Sequence, residues 1–152
     1  MDSIVAWHGT QSPVASPEDF QIKSLAQAPT GFHVGSKKQA MMRKHPRGTL
    51  LKVEINISSA HRIPRLKDLG GDWARRLKRH IYLGTSLVCY LNRWEGISAE
   101  RAIELSDHSS EYLNRLSDAA FRRLVPEASD SWIVLDSSAI EHISLIPCPS
   151  RS

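Results

Sequence analysis

The chain of 152 residues contains little cysteine and no long apolar run. Its cysteines, Cys89 within an apolar stretch and Cys148 near the end, do not form the spaced pairs of a disulfide framework. No stretch approaches the roughly 20 consecutive apolar residues of a membrane-spanning helix. The start of the chain, from Met1 to Trp7, lacks the basic and apolar regions of a secretory signal. These absences predict a cytoplasmic protein without a membrane partner, either of the producing cell or of a target cell.

Several motifs with a known chemistry are also missing. The sequence has no Gly-x-x-x-x-Gly-Lys phosphate loop, no Gly-x-Gly-x-x-Gly dinucleotide turn and no Gly-x-Ser-x-Gly nucleophile elbow. None of its seven histidines lies four positions from another, the spacing that a helical zinc pair requires. The sequence therefore predicts that the protein holds no metal ion.

Positive charge is concentrated in the first half of the chain, and the net charge is +4. Residues 37–47 contain five Lys or Arg and no acid, and residues 61–80 contain seven against two acids. Acidic residues dominate 95–111 instead. A basic region can attract the phosphates of a dinucleotide or nucleic acid, or an acidic protein. The alternative is that these residues form ordinary solvated helix faces.

Hydrophobic periodicity and capping signals predict one α+β domain over 1–152. Strands are expected at 4–8, 32–35, 51–57, 87–91, 132–135 and 143–146. Helices are expected at 17–25, 36–44 and 73–80, with Ser16, Ser36 and Asp72 as their N-caps. Two more helices, broken near 107–109, are expected between 98 and 124. They would form a helical insertion over 96–129, and 147–152 would be a loose tail.

Four short motifs occur in order along the chain. They are Trp7-His8-Gly9-Thr10, Gly31-Phe32-His33-Val34-Gly35-Ser36, Tyr90-Leu91-Asn92-Arg93-Trp94-Glu95 and Asp130-Ser131-Trp132-Ile133-Val134-Leu135-Asp136. A histidine at a strand end can bind a ribose hydroxyl, and a following glycine lets backbone approach a ligand closely. Structural alternatives exist for each: His8 at a strand-to-loop turn, Phe32 in the core and Glu95 on the surface.

In this order the motifs resemble the histidine-containing branch of the ADP-ribosyltransferases, to which diphtheria toxin and poly(ADP-ribose) polymerase belong. The resemblance covers residues 5–146, and the chain is most similar in layout to small bacterial and phage members of this branch. It implies a split mixed β-sheet with peripheral helices. It also implies that NAD is the cofactor, that nicotinamide is released, and that ADP-ribose is transferred once to a macromolecular acceptor.

The resemblance also suggests a biological setting. The chain would be a bacterial or phage effector or toxin, which a partner protein could neutralise. A host protein is favoured over nucleic acid as the acceptor, and arginine is disfavoured as the target because the paired glutamates of arginine-specific members are absent. Two alternatives stay open: an NAD glycohydrolase, and a non-catalytic basic domain that binds nucleic acid or an acidic protein.

The family roles transfer to individual residues as follows. His8 and Gly9, with Thr10 nearby, would hold the NAD ribose and the nicotinamide amide. Gly35, Ser36 and Asn92 would also contact NAD, and either Phe32 or His33 would replace the tyrosine that stacks on nicotinamide.

The same resemblance suggests two catalytic acids. Glu95 would stabilise the oxocarbenium-like transition state. Asp130 competes for this role. The two acids would converge on one cleft if 96–129 is an insertion between paired strands.

Overall fold

The computed structural model describes residues 3–17, 31–57 and 63–147, and it confirms the α+β class. Its strands are β1 (Ser3–Gly9), β2 (Phe32–Val34), β3 (Leu50–Asn56), β4 (Arg65–Leu66), β5 (Leu87–Leu91), β6 (Asp130–Val134) and β7 (Ile140–Ile146). Its helices are α1 (Lys37–Arg43), α2 (Trp73–Tyr82), α3 (Ala99–Leu105), α4 (Ser110–Arg115) and α5 (Asp118–Leu124). The predicted helix at 17–25, beyond its first residue, and the tail beyond 147 lie outside the described residues.

Among the described residues the strands form two sheets. The first has the order β1-β3-β7 and is antiparallel throughout. The second has the order β2-β6-β5-β4, with only β4 parallel to its neighbour. A bridge between β1 and the end of β2 joins them: Trp7 N donates to Gly35 O at 2.8 Å, and Gly35 N donates to Trp7 O at 3.0 Å. The sheets therefore meet at this point.

The main core fills the space between the sheets. The alternation in β3 buries Leu51, Val53 and Ile55 completely, while Lys52 and Glu54 remain partly exposed. These side chains pack in one cluster with apolar residues of the second sheet, including Phe32, Val34, Leu87 and Val134. The period-two pattern at 51–57 thus correctly predicts which face is buried.

Helix α2 covers the opposite face of the second sheet, where Leu77 packs with Val88, Tyr90 and Ile133. Asp72 is the N-cap residue, as predicted, but it does not cap the helix in the usual way. Asp72 has a φ of 64°, a left-handed conformation, and its side chain makes no capping hydrogen bond. An N-cap residue that binds the first turn has extended backbone instead. The Asp72 carboxylate accepts from Arg75 Nε at 2.8 Å.

The insertion contains three helices rather than the two predicted. Ser98, Ser109 and Ser117 each cap one of them by accepting a hydrogen bond from a backbone N–H three residues later. The break near 107–109 is confirmed, and Ser117 introduces the additional one. Their apolar residues form a separate cluster around Phe121 that includes Leu91 of β5. The insertion is therefore anchored at the end of β5, just before Asn92.

Candidate active site

A small cavity of about 10 Å³ lies where the two sheets meet, beside the bridge between Trp7 and Gly35. It is lined by residues of all four motifs, together with part of α1. Six of the predicted site residues are in its wall: His8, Gly9, His33, Gly35, Asn92 and Glu95. The fold therefore brings residues that are far apart in sequence into one small space.

His8, near the end of β1, is held in a defined tautomer. Its Nδ1 lies 2.7 Å from the carbonyl oxygen of His33, which can only accept a hydrogen bond. Burial, with a further contribution from the charge of Arg43, lowers the pKa of His8 below its usual 6.5. The ring is therefore neutral at pH 7, with its proton on Nδ1 and acceptor character on Nε2. Such an acceptor suits a ribose hydroxyl.

The rings of His33 and Phe32 lie on opposite faces of β2. His33 lines the cavity, and its Nδ1 lies 2.9 Å from the hydroxyl of Tyr90. Burial raises the pKa of Tyr90, so its hydroxyl stays protonated at neutral pH. Phe32 packs in the core between the sheets, with its ring centroid 4.4 Å from that of His8. Of the two rings expected to stack on a ligand, only His33 is in the cavity wall.

Glu95 lies in a tight loop after β5 that Asn92 organises. The side-chain oxygen of Asn92 accepts from the backbone N–H groups of Trp94 and Glu95 at 3.1 and 3.0 Å. Its amide nitrogen donates to Glu95 Oε1 at 3.1 Å. The other carboxylate oxygen, Oε2, accepts from Arg43 Nε at 2.6 Å. Asn92 is thus a positioning residue for the Glu95 carboxylate.

The loop that carries Glu95 is also anchored from behind. The guanidinium of Arg93, which is completely buried, donates to the carbonyls of Leu113 and Leu116 at 2.7 Å and to Asp118 at 3.0 Å. Its backbone N–H donates to the buried carboxylate of Asp68 at 3.0 Å. Burial raises the pKa of Asp68, an effect that this hydrogen bond opposes. The insertion and the segment before α2 therefore both hold the loop.

A polar network closes the floor of the cavity. Ser131 Oγ donates to Gln39 Oε1 at 2.6 Å and accepts from Asn92 Nδ2 at 3.2 Å. Ser36 and Gln39 form a reciprocal capping box at the start of α1, which confirms Ser36 as the N-cap. A Cβ at Gly35 would overlap with Gln39 Oε1. Ser36 therefore sets the start of α1, and Gly35 leaves room for the Gln39 side chain in the cavity wall.

Gly9 and Thr10 are explained by packing around β1. A Cβ at Gly9 would collide with the carbonyl of Ala40, so the glycine allows α1 to lie against the strand. The hydroxyl of Thr10 donates to Ser12 O at 2.6 Å and accepts from Thr49 N at 2.7 Å. Thr10 is buried and stabilises the turn after β1 through these bonds.

Asp130 does not converge with Glu95, contrary to the expectation from the sequence. In the ladder of β5 and β6, Asp130 pairs with Leu91, whereas the cavity residue Ser131 pairs with Tyr90. Because successive side chains alternate across a sheet, Asp130 lies on the opposite face. There its carboxylate binds Arg65 at 2.7 Å and Arg122 at 3.5 Å.

A second, larger cavity of about 540 Å³ adjoins the first. The two share Arg43, Tyr90, Asn92 and Glu95 in their walls, so these residues stand at the junction. The remaining lining residues come from the segment 68–73, from Trp94 and from α4: Asp68, Leu69, Gly70, Trp73, Trp94, Ser110 and Asn114. Glu95 therefore faces both spaces.

Several cavity residues were not predicted from the sequence, notably Gln39, Arg43, Tyr90 and Ser131. Tyr90 and Ser131 lie inside the third and fourth motifs, where a polar group within an otherwise apolar strand was a usable signal. Arg43 belongs to the basic run 37–47, but its contact with Glu95 spans 52 positions and has no local signature.

Neither a membrane-spanning helix nor a metal-binding cluster is found in the part of the chain that the structure describes. In the ranges 3–17, 31–57 and 63–147, no helix is long and apolar enough to cross a bilayer. Those residues also contain no group of three or more His, Cys, Asp or Glu side chains placed to hold a metal ion. Comparison of the chain with protein-family models, with curated proteins and with solved structures finds no match.

Proposed function

We propose that the protein is an NAD-dependent mono-ADP-ribosyltransferase in which Glu95 is the catalytic carboxylate. The observation that carries this proposal is the juxtaposition, in one cavity between two sheets, of neutral His8 and an oriented Glu95. The motifs that resemble the ADP-ribosyltransferases come together here. The acceptor would be a macromolecule, and the setting that the resemblance suggests is a bacterial or phage effector.

The first cavity is narrow: its volume of about 10 Å³ is far below the roughly 300–1,000 Å³ of pockets that enclose a complete ligand. The side chains that line it would have to move apart to admit the reacting end of NAD. Positive charge lies beside the cavity: Lys37 Nζ is 5.3 Å from the ring centroid of Trp7, a lining residue, and Lys38 is exposed on the same helix. These cations would attract the pyrophosphate.

Bound NAD would supply an activated glycosidic bond: its cleavage releases neutral nicotinamide with the bonding electron pair and leaves ADP-ribose to bond with the acceptor. His8 Nε2 would accept a hydrogen bond from a ribose hydroxyl. Glu95 would stabilise positive charge that develops on the ribose, and would take the proton that the acceptor loses. Asn92 would keep the carboxylate directed at this centre.

The ion pair with Arg43 does not prevent this role. The Arg43 side chain is 38% exposed, and surface ion pairs contribute only about 0–1 kcal/mol. The carboxylate can therefore exchange Arg43 for a ribose hydroxyl at small cost. Arg43 would then be available to the phosphates of NAD.

Nicotinamide release from NAD tests the proposal directly. We expect Glu95→Gln, which keeps the shape but removes the charge, to slow release about 100- to 1,000-fold, the usual effect of removing one such group. Glu100→Gln, on the exposed face of α3, is the matched control and should keep full activity. Equal activity of both variants would contradict the assignment of Glu95.

The same assay separates transfer from hydrolysis. Release that requires a macromolecular acceptor, with ADP-ribose attached to it, supports transfer. Release at full rate without any acceptor indicates an NAD glycohydrolase. No release under any condition, from protein shown to be folded, would favour a non-catalytic binding domain.

A further inference from the structure

The second cavity shares four wall residues with the first, Glu95 among them, whereas His8 lines only the first. We propose that the second cavity is the acceptor subsite and that it takes an unpaired base of a single-stranded nucleic acid. This inference rests on the proposed function, because a group that attacks the ribose must approach the carboxylate that accepts its proton. It departs from the expectation that a host protein is the acceptor.

The walls of the cavity suit a flat ring. Trp73 and Tyr90 line it with centroids 4.7 Å apart and planes tilted by 46°, and Trp94 lines it from the Glu95 loop. Aromatic side chains of this kind are the usual platforms for bases that have been separated from their neighbours. A base within a duplex is stacked and paired, so only a single-stranded or extruded base could enter.

The polar atoms of the wall match the edge of a base. The indole Nε1 of Trp94, a donor, and the amide Oδ1 of Asn114, an acceptor, are buried and have no hydrogen-bond partner among the described residues. A base edge presents both acceptors and donors, so it could satisfy both atoms. Both are covered, so contact requires the Trp94 side chain to shift. Gly70 packs beside it: a Cβ there would lie 3.1 Å from Nε1.

The distribution of charge favours a base over a protein side chain. The cavity contains the acids Asp68 and Glu95, which would repel an acidic acceptor. Two cations lie beside these acids: Arg43 lines the cavity, and the Arg76 guanidinium carbon is 4.5 Å from the ring centroid of the lining residue Trp73. These cations would repel a lysine or arginine acceptor. A neutral ring on an anionic backbone suits both regions.

Transfer of ADP-ribose at this subsite involves only NAD, the base, Glu95 and water. A ring nitrogen or exocyclic nitrogen of the base would form the new bond to the ribose carbon as the bond to nicotinamide breaks. The proton that the base nitrogen loses would pass to Glu95 and then to water. The products would be an ADP-ribosylated base and neutral nicotinamide.

Binding of fluorescein-labelled oligonucleotides, followed by anisotropy without NAD, provides the first test. We expect a single strand of mixed sequence to bind at least about tenfold more tightly than the blunt duplex that contains it. Trp94→Phe keeps an aromatic ring but removes the N–H donor, and Asn114→Leu removes the acceptor. Each should weaken single-strand binding about two- to tenfold, the usual effect of one neutral hydrogen bond.

Two controls distinguish ligand binding from a loss of structure. Trp132→Phe makes the same chemical change in the core between the sheets and should leave oligonucleotide binding unchanged. The midpoint of thermal unfolding should not fall in Asn114→Leu, because the amide oxygen that it removes lacks a partner. A lower midpoint together with weaker binding would mean that Asn114 is structural, and would count against the subsite.

Transfer kinetics supply the second test. With NAD and the single strand, we expect Trp94→Phe to raise KM for the oligonucleotide and to leave KM for NAD unchanged. The inference is overturned if the duplex binds equally well, if the variant raises KM for NAD instead, or if nicotinamide is released while only proteins become modified. That last result would leave the proposed function intact. Absence of nicotinamide release with any acceptor would overturn the proposed function itself.

Discussion

Replacement of Arg93 by methionine is expected to destabilise the protein strongly. Methionine approximates the length of the arginine stem but cannot donate hydrogen bonds. The substitution leaves the carbonyls of Leu113 and Leu116 without the donors that now lie 2.7 Å away. It also removes one of the two cations paired with Asp118, which keeps Arg65, and the cation 4.9 Å from the ring centroid of Phe121. All of these contacts join the Glu95 loop to the helical insertion.

The magnitude follows from the burial of the guanidinium, which has no exposed surface. Each buried acceptor that loses its donor costs about 1–3 kcal/mol, and breaking a buried ion pair costs about 3–5 kcal/mol. Asp118 is partly exposed and keeps its ion pair with Arg65, so the contributions do not simply add. We expect a loss of about 3–5 kcal/mol, a large share of the 5–15 kcal/mol that stabilises a typical domain.

Urea unfolding followed by tryptophan fluorescence would measure this loss. With a slope of about 2–3 kcal/mol per molar, the midpoint should fall by more than about 1 M. Arg115→Met is the matched control, since Arg115 lies on α4 but its ion pair with Glu111 is exposed. Its cost should stay below about 0.5 kcal/mol. A cost below about 1 kcal/mol for Arg93→Met would refute the argument that this residue anchors the loop.

Three further predictions concern the cavity. Burial lowers the pKa of His8, so its contribution to the free energy of unfolding is complete above about pH 6.5. Below that pH the unfolded chain binds a proton at His8 more readily than the folded chain does, and the free energy of unfolding falls. His8→Gln should flatten this pH dependence in unfolding titrations. Gly35→Ala should cost about 1–3 kcal/mol through overlap with Gln39, whereas Gly71→Ala, in open space, should unfold like the wild type. Asp130→Asn should change nicotinamide release less than about threefold, since this carboxylate lies outside the cavity; a greater loss would restore it as a catalytic candidate.

Much of the fold could be predicted because local patterns specify it. Alternation in 51–57 requires one buried face, and a serine followed three residues later by a glutamine is the capping-box signal for a helix that begins after Ser36. The same rules miss β4, whose two residues are too few to show a period. They also miss the cap at Ser117, because the apolar residues on either side of it suggest a continuous helix.

The site was predictable only where a single motif carries it. His8 lies near the end of β1 and Glu95 in the loop that follows β5, positions from which side chains reach a cleft, and both can be inferred locally. Whether Asp130 or Ser131 faces that cleft depends on the pairing of β5 with β6, because a shift by one residue would exchange the two faces. The pairing is set by contacts between residues far apart in the sequence, such as the hydrogen bond from Asn92 to Ser131, which lies 39 positions later.

The helical insertion links the two halves of the site. Its Leu113 and Leu116 carbonyls hold Arg93, and therefore the loop that presents Glu95, while α4 contributes Ser110 and Asn114 to the second cavity. The carboxylate and one wall of the second cavity are thus attached to the same set of helices. A change in this packing would move both together relative to His8, which the first sheet holds separately. Substitutions in the insertion core should therefore affect acceptor binding and the rate of nicotinamide release together, and leave the environment of His8 intact.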